Sequence, residues 1–445
     1  MYDWDRNNFA PRFGLAYSPD RKTAIRAGAG IFYAPLEISS SNTGSTPSEG
    51  FSATTTYVGS LDGLTPFDYL RNPYPNGLVQ PTRSSLGAAT FLGQNLTLWD
   101  STARTPYAAQ WNLDVQRRLP GNFLLDVAYA GNRGIKLART RELDQINPQY
   151  LSLGTGLQRQ VANPFVSIIT SGTLSQSTVR AQQLLLPFPQ YTGVLIMNST
   201  SGNSSYHSVQ VKVEKRFSQG MSLLVAYTGA KLITDSGSSL AWGDESVQNW
   251  YNLHAERSIS DLDQSRQVAA SFVGELPFGH GKRFFANTNA VISRVLGGWK
   301  IGGVATYHSG LPLGVTLAST GSVATRPNST GQSAKLTGDR STAEQLARWF
   351  NTAVFTAPPA FTYGNGSRTL PDVRAPHLVN LDLSVIKDTA IRESLRLEFR
   401  AEAFNLTNTP YFAAPNTAFG NVQFGRISAM LGLPRVMQGS LKLLF

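Results

Sequence analysis

The sequence predicts an all-β chain, an antiparallel up-and-down sheet of about eleven strands, on three observations. Apolar and polar residues alternate strictly over stretches of about ten residues, the period of a strand with two unlike faces. The connections between these stretches alternate between short and long. Only 15% of the 445 residues are charged while 41% are hydrophobic, whereas an ordinary soluble protein carries about 25% charged residues. Uncharged polar residues make up the difference, so disorder is not expected.

The first hairpin joins a strand at 12–17, through Ser18-Pro19-Asp20-Arg21, to one in which Ile25, Ala27, Ala29, Ile31 and Tyr33 alternate with Ala24, Arg26, Gly28 and Gly30. In the second, Trp111, Leu113 and Val115 alternate with Gln110, Asn112, Asp114 and Gln116, and Pro120-Gly121-Asn122 turns into Phe123, Leu125, Val127 and Tyr129. The third sets Val209, Val211 and Val213 against Ser208, Gln210, Lys212 and Glu214. Phe217-Ser218-Gln219-Gly220 then leads into Met221, Leu223, Val225 and Tyr227, the signature of a tight hairpin. Further strands are expected at 268–276, 299–308, 378–386, 395–403 and 437–445. In 395–403, Arg396, Glu398 and Arg400 alternate with Leu395, Leu397 and Phe399. Most of these stretches approach the length that crosses a bilayer core at a tilt.

Roughly 34–106, 134–205, 232–265, 318–377 and 406–434 are long, rich in Ser, Thr, Asn, Gly and Pro, and all fall on one side of the meander. Sorting of this kind is expected of an outer-membrane barrel, with short turns at one rim and long loops at the other, and not of a soluble sandwich. The connection 277–298 is the exception among the short ones, and 290–296 within it reads as a short helix. The polar face carries too many charges for a dry core. Its lumen-facing candidates are Arg26, Gln110, Asp114, Lys212, Glu214, Arg396, Glu398 and Arg400. The expected fold is therefore a transmembrane antiparallel up-and-down β-barrel with long extracellular loops; the competing expectation is a soluble sheet with one solvated face.

Lys and Arg number 39 against 28 Asp and Glu, a net +11. The basic residues gather at short-turn ends, at Arg21, Lys22, Arg117, Arg118, Lys215, Arg216, Lys282, Arg283, Arg294, Lys387 and Arg392. Spread around a rim, they suit anionic head groups or plain solvated turns better than the stripe a nucleic acid needs, so no nucleic-acid partner is expected. Tyr17, Tyr33, Trp111, Tyr129, Tyr227, Trp299 and Tyr307 lie towards strand ends, as interfacial girdle aromatics would.

Little in the sequence suggests catalysis. With no Cys, thiolate chemistry and disulfides are excluded. The five His show no ligand spacing, and neither Gly28-Ala29-Gly30 nor Gly279-His280-Gly281-Lys282 completes a nucleotide-binding motif. No cofactor and no metal are expected. Asp261-Leu262-Asp263 with Asp244 and Glu245 lacks the spacing of a calcium loop and reads as solvated carboxylates. Trp242, Trp250 and Tyr251 are the candidates for touching a ligand from an outer loop, with loop self-packing as the alternative. No apolar run is long enough for a transmembrane helix, and 1–8 has neither the basic nor the apolar region of a secretion signal.

Blocks scattered over the whole chain resemble the barrel of Oar-like TonB-dependent receptors of the Gram-negative outer membrane. They are Asn8-Phe9-Ala10-Pro11-Arg12-Phe13-Gly14-Leu15-Ala16-Tyr17, Arg26-Ala27-Gly28-Ala29-Gly30-Ile31-Phe32-Tyr33, Glu275-Leu276-Pro277-Phe278-Gly279 with Gly297-Gly298-Trp299, Tyr307-His308-Ser309-Gly310-Leu311-Pro312, Trp349-Phe350-Asn351-Thr352, the run from Phe399 to Asn408, and Phe424-Gly425-Arg426-Ile427. The resemblance implies uptake rather than catalysis: ligand capture by the loops, movement of a plug domain, and energy delivered by the TonB complex. Met437, Leu441, Leu443 and Phe445 share one face of a last strand that resembles the signal read by the barrel-assembly machinery.

Family members carry a signal peptide, a TonB-contact segment and a plug ahead of such a region, and their barrels are twenty-two-stranded. The expectation is that 1–445 are the C-terminal half of such a barrel, without those parts. The expected partners are outer-membrane lipid, the assembly machinery, a transported ligand, and the TonB complex only through an N-terminal part not in this sequence. A surface β-protein binding glycans or partners through its loops, or an adhesion or secretion barrel without a plug, are the alternatives.

Overall fold

The computed structural model describes residues 3–34, 50–67, 70–236, 247–317, 323–392 and 395–445. Eleven strands form one meander: β1 (Arg12–Tyr17), β2 (Thr23–Tyr33), β3 (Tyr107–Leu119), β4 (Phe123–Glu142), β5 (Gly193–Ser218), β6 (Met221–Thr234), β7 (Arg266–Glu275), β8 (Trp299–His308), β9 (Leu378–Arg392), β10 (Leu395–Phe404) and β11 (Val436–Leu444). Each pairs antiparallel with its neighbours in sequence. The connections at one end are 18–22, 120–122, 219–220, 276–298 and 393–394; those at the other are 34–106, 143–192, 235–265, 309–377 and 405–435. The tight turn between β5 and β6 needs two left-handed residues, and Gln219 and Gly220 adopt φ of 53° and 77°.

Two expected boundaries move: the strand expected at 378–386 continues to Arg392, and the second long connection shortens. Much of 134–205 is strand rather than loop, because β4 and β5 remain paired up to Glu142 and Leu195, with register shifts after Ile135, Leu137 and Arg139. Arg133, Arg139, Arg141, Asn203, Ser204 and Ser205 give this ribbon polar residues on both faces, so hydropathy did not mark it. Its pairing rests on backbone partners, which alternation cannot reveal. Trp111, Tyr129 and Tyr227 sit inside their strands rather than at strand ends.

The register also fixes the tilt. A row of cross-strand partners starts at Tyr17, the short-turn end of β1, and passes through Ile25, Val115, Val127, Val211, Tyr227 and Val268 to Tyr307. Tyr307 stands eight residues above Trp299, the short-turn end of β8. A climb of that length at ~3.3 Å per residue, over seven strand spacings of ~4.8 Å, is a tilt of roughly 40°. Strands of membrane barrels lean by that amount.

The chain exposes 27265 Å², whereas a compact soluble monomer of its mass exposes about 16,500 Å². Among the described residues no second layer covers the apolar face of the sheet, which adds to this exposure. Phe13, Leu113, Val127, Val209, Tyr227, Val379, Phe399 and Leu441 all lie exposed on that face. The dry cores lie elsewhere, among the long connections. Ile169, Leu174 and Val179 pack with Leu92 and Phe165, joining the first connection to the second. Leu313, Val315, Phe350, Val354, Phe355, Leu370 and Val373 pack with Phe419 and Phe424, joining the fourth to the fifth. The polar-rich excursions are thus partly a folded cap: Phe350 and Phe424 meet edge to face at 5.2 Å.

Candidate functional site

Cross-strand register puts Arg26, Gln110, Asp114, Lys212, Glu214, Arg396, Glu398 and Arg400 on the polar face of the one sheet. Several form a ladder across four strands near the short-turn end. Arg26 Nη1 donates to Gln116 Oε1 at 2.7 Å and lies 3.7 Å from Asp114; Gln116 Nε2 donates to Asp126 at 2.9 Å. Lys212 stands 3.9 Å from both Asp126 and Glu214. A second group pairs Lys300 with Asp388 at 2.7 Å and sets Arg400 between Glu398 and Glu402, with Gln438 donating to Glu402 at 2.6 Å.

Gln110 stands apart from these groups. It lines a cleft of about 570 Å³ with Asn112, Asn132 and Tyr206, over the bare backbone of Gly28 and Gly30. Arg396 makes no ion pair among the described residues and faces Ala390 and Leu444. Gln116, Asp126, Lys300, Asp388 and Glu402 join the candidates on this face. Their alternation was visible, but which of them meet depends on register. The resulting face sets cations against carboxylates and suits a surface lined by water.

At the long-connection end, arginines of the fourth connection bind the third. Arg326 makes two hydrogen bonds to Glu256, at 2.6 and 3.1 Å, with both side chains nearly buried. Gln248 Nε2 donates to Gly364 O at 2.7 Å, and its Oε1 accepts from the N–H groups of Thr325 and Arg326. Arg374 binds Asp263, which also accepts from Leu232 N–H. Asp263 is therefore a buried structural partner, contrary to the expectation of a solvated carboxylate. Asp244, Glu245 and Trp242 lie outside the described residues. Trp250 N–H donates to Gln145 Oε1 at 2.7 Å, and Tyr251 Oη donates to Gln145 O at 3.2 Å with the residue half exposed. These two are anchored to the second connection rather than free.

In the second connection, burial pushes the Asp144 carboxyl up to about 6; Glu142 beside it acts in the same direction and the N–H of Phe188 opposes. The folded value lies above the ordinary one, so ionisation weakens the fold above about pH 6, and the penalty fades as pH falls towards 3.8. Asp144→Asn should slow amide exchange in 143–192 several-fold at pH 7.5 and little at pH 4.5. Equal rates in the two proteins at pH 7.5 would reject this account of Asp144.

A sheet with one greasy uncovered face, one charged face and a tilt near 40° is the wall of a membrane β-barrel. The model of the outer membrane beta barrel domain family matches residues 1–438, and the chain belongs to that family and to the outer membrane. No curated protein matches the chain.

Similar solved structures include the outer membrane transporter YddB from Escherichia coli (8% identity, TM-score 0.44, 98% of this chain and 40% of that one). The ferric-catecholate import receptor Fiu from K12 E. coli is also similar (10% identity, TM-score 0.39, 97% and 34%). So is the FrpB iron transporter from Neisseria meningitidis, F5-1 variant (11% identity, TM-score 0.40, 98% and 40%). The chain spans no more than 40% of the length of these proteins.

Proposed function

We propose that the chain is the C-terminal part of the barrel of a TonB-dependent outer-membrane receptor, whose polar face lines the lumen through which a captured ligand passes. The observation that carries this is the pairing of an uncovered apolar face with a continuous charged face, capped at one end only. The folded long connections, with Trp250 and Tyr251 among them, receive the ligand. A plug supplied by residues outside this chain responds to the TonB complex. In the last strand, Met437, Leu441 and Leu443 pair with Ala403, Phe399 and Leu397 on the lipid side, and Phe445 follows. That end serves recognition by the assembly machinery.

Strand parity supports a larger barrel. Odd-numbered strands all run towards the short turns, so β1 and β11 are parallel to each other. Direct closure would need a parallel seam, as would pairing with a second copy. Among the described residues β1 pairs only with β2, and β11 only with β10, and such edges do not face lipid unpaired. An odd number of additional strands, first and last rising from the short-turn side, closes an entirely antiparallel barrel.

Residues 1–445 contain no Cys, so introduced pairs test this region in cells carrying the complete gene. Leu397→Cys with Leu443→Cys, register partners, should cross-link under a lipid-soluble oxidant. Leu441→Cys with Phe13→Cys, Leu15→Cys or Tyr17→Cys should not. Cross-linking of any of these seam pairs within one chain would show self-closure and reject the larger barrel.

A further inference from the structure

Among the described residues, the connection 276–298 is the one at the short-turn end that is more than a turn. Its helix, Ala290–Leu296, is capped by Asn289, whose side chain accepts from Ile292 N–H at 2.9 Å. Val291, Ile292 and Val295 are exposed, as are Phe284 and Phe285, whose rings both pack on Phe278. Water alone does not favour so many exposed apolar side chains on so short a segment.

The segment is fastened to the apolar face of the sheet. Trp299 Nε1 donates to Val295 O at 3.0 Å, and the Lys387 ammonium lies 5.0 Å from the centre of the Trp299 ring. Lys387 Nζ also donates to the carbonyls of Arg294 and Gly297 at 2.8 and 2.7 Å. Trp299, Lys387, Phe399 and Leu441 form one row of that face. The exposed apolar residues of 284–295 therefore continue the lipid-facing surface at the level where an aromatic and a cation mark the interface.

Against this segment lies a cleft of about 320 Å³ lined by His280, Lys282, Ser293 and Arg294, with Gly297 and Gly298. Close packing builds it: Gly298 has φ of 75°, and a Cβ there would fall 2.2 Å from Asp388 O. Asp388, which also lines the cleft, is occupied by Lys300 at 2.7 Å, and Lys282 by Glu275 at 2.7 Å. The side chains of Arg294 and His280 have no ion-pair partner among the described residues. Cationic and hydroxyl groups thus line a cleft at the short-turn rim, where the polar face carrying Asp388 meets the apolar residues of 284–295.

We propose that 277–298 binds the phosphodiester headgroup of an anionic phospholipid, at the cleft beside Arg294, with its acyl chains against Val291 and Val295. This rests on the membrane-spanning reading above. The test uses the protein purified from outer membranes in mild detergent, titrated by native mass spectrometry with phosphatidylglycerol and, separately, phosphatidylcholine. Phosphatidylglycerol should bind more tightly, and Arg294→Gln should weaken it about fivefold, the effect of one interfacial cation, and weaken phosphatidylcholine, whose choline offsets the same phosphate charge, by less. Val291→Ser with Val295→Ser should weaken both lipids.

Equal binding of the two lipids, or no effect of Arg294→Gln, would overturn the proposal. So would displacement of the lipid by millimolar inorganic phosphate, which would make the cleft a site for soluble anions. Heat-modifiable migration of every variant checks the membrane fold separately, and its loss in the unmutated protein would instead reject the reading beneath.

Discussion

Glu256→Ala should dismantle the outer cap while leaving the strands in the membrane. The Glu256 and Arg326 side chains are 2% and 7% exposed, and they join the third connection to the fourth. Removing the carboxylate strands a buried guanidinium, which costs about 3–5 kcal/mol, more than the intact pair contributes over an apolar substitute. The same carboxylate accepts from Gln248 N–H at 3.3 Å, so the loss spreads to the residue that holds Gly364 and the backbone at 325–326. Protease added to intact cells should cut 309–377 at least about tenfold faster, while the strands still migrate as a folded, heat-modifiable species. Glu256→Ala with Arg326→Ala should be milder than either single change, because no lone charge remains. Unchanged cleavage of both single variants would show that the pair does not hold the cap.

A second large effect is expected from two adjacent residues of β5 on opposite faces. Val209 belongs to the apolar row with Leu113, Tyr129 and Gly229, whereas Gln210 belongs to the polar row with Ala128 and Thr228. Both are exposed. An arginine facing lipid costs up to about 2–4 kcal/mol, more the nearer it lies to the middle of the bilayer, and one facing a hydrated lumen costs about zero. Val209→Arg should sharply lower the amount of folded protein in outer membranes, and Gln210→Arg should leave it near normal. Equal tolerance of the two changes would mean that lipid does not touch the Val209 face.

The hairpins were readable because side chains of a strand alternate with a period of two, and the demands of lipid and water differ. Ile25 to Tyr33, Trp111 to Val115 and Met221 to Tyr227 each displayed this without knowledge of any partner. The cap was not readable. Phe350, Phe355 and Phe424 lie in polar stretches without periodicity, and their meeting depends on how two connections fold over each other. Nor did the residues around Asp263 reveal that its partner would be Arg374, 111 positions away. The upper part of β4 and β5, polar on both sides, had no hydropathy signal to give.

Local sequence by itself determined the strand-rich meander, its two unlike faces and the sorting of short and long connections, since backbone pleating and turn chemistry act within a few residues. Only the tertiary structure decided the register, and with it the tilt, the ladder from Arg26 through Asp126 to Lys212, the cap with its buried arginines, and the basic cleft beside Trp299. Each of these depends on which distant segments share an edge or a core. That choice is made by the summed pairing and packing of the whole sheet, and no single stretch of sequence encodes it.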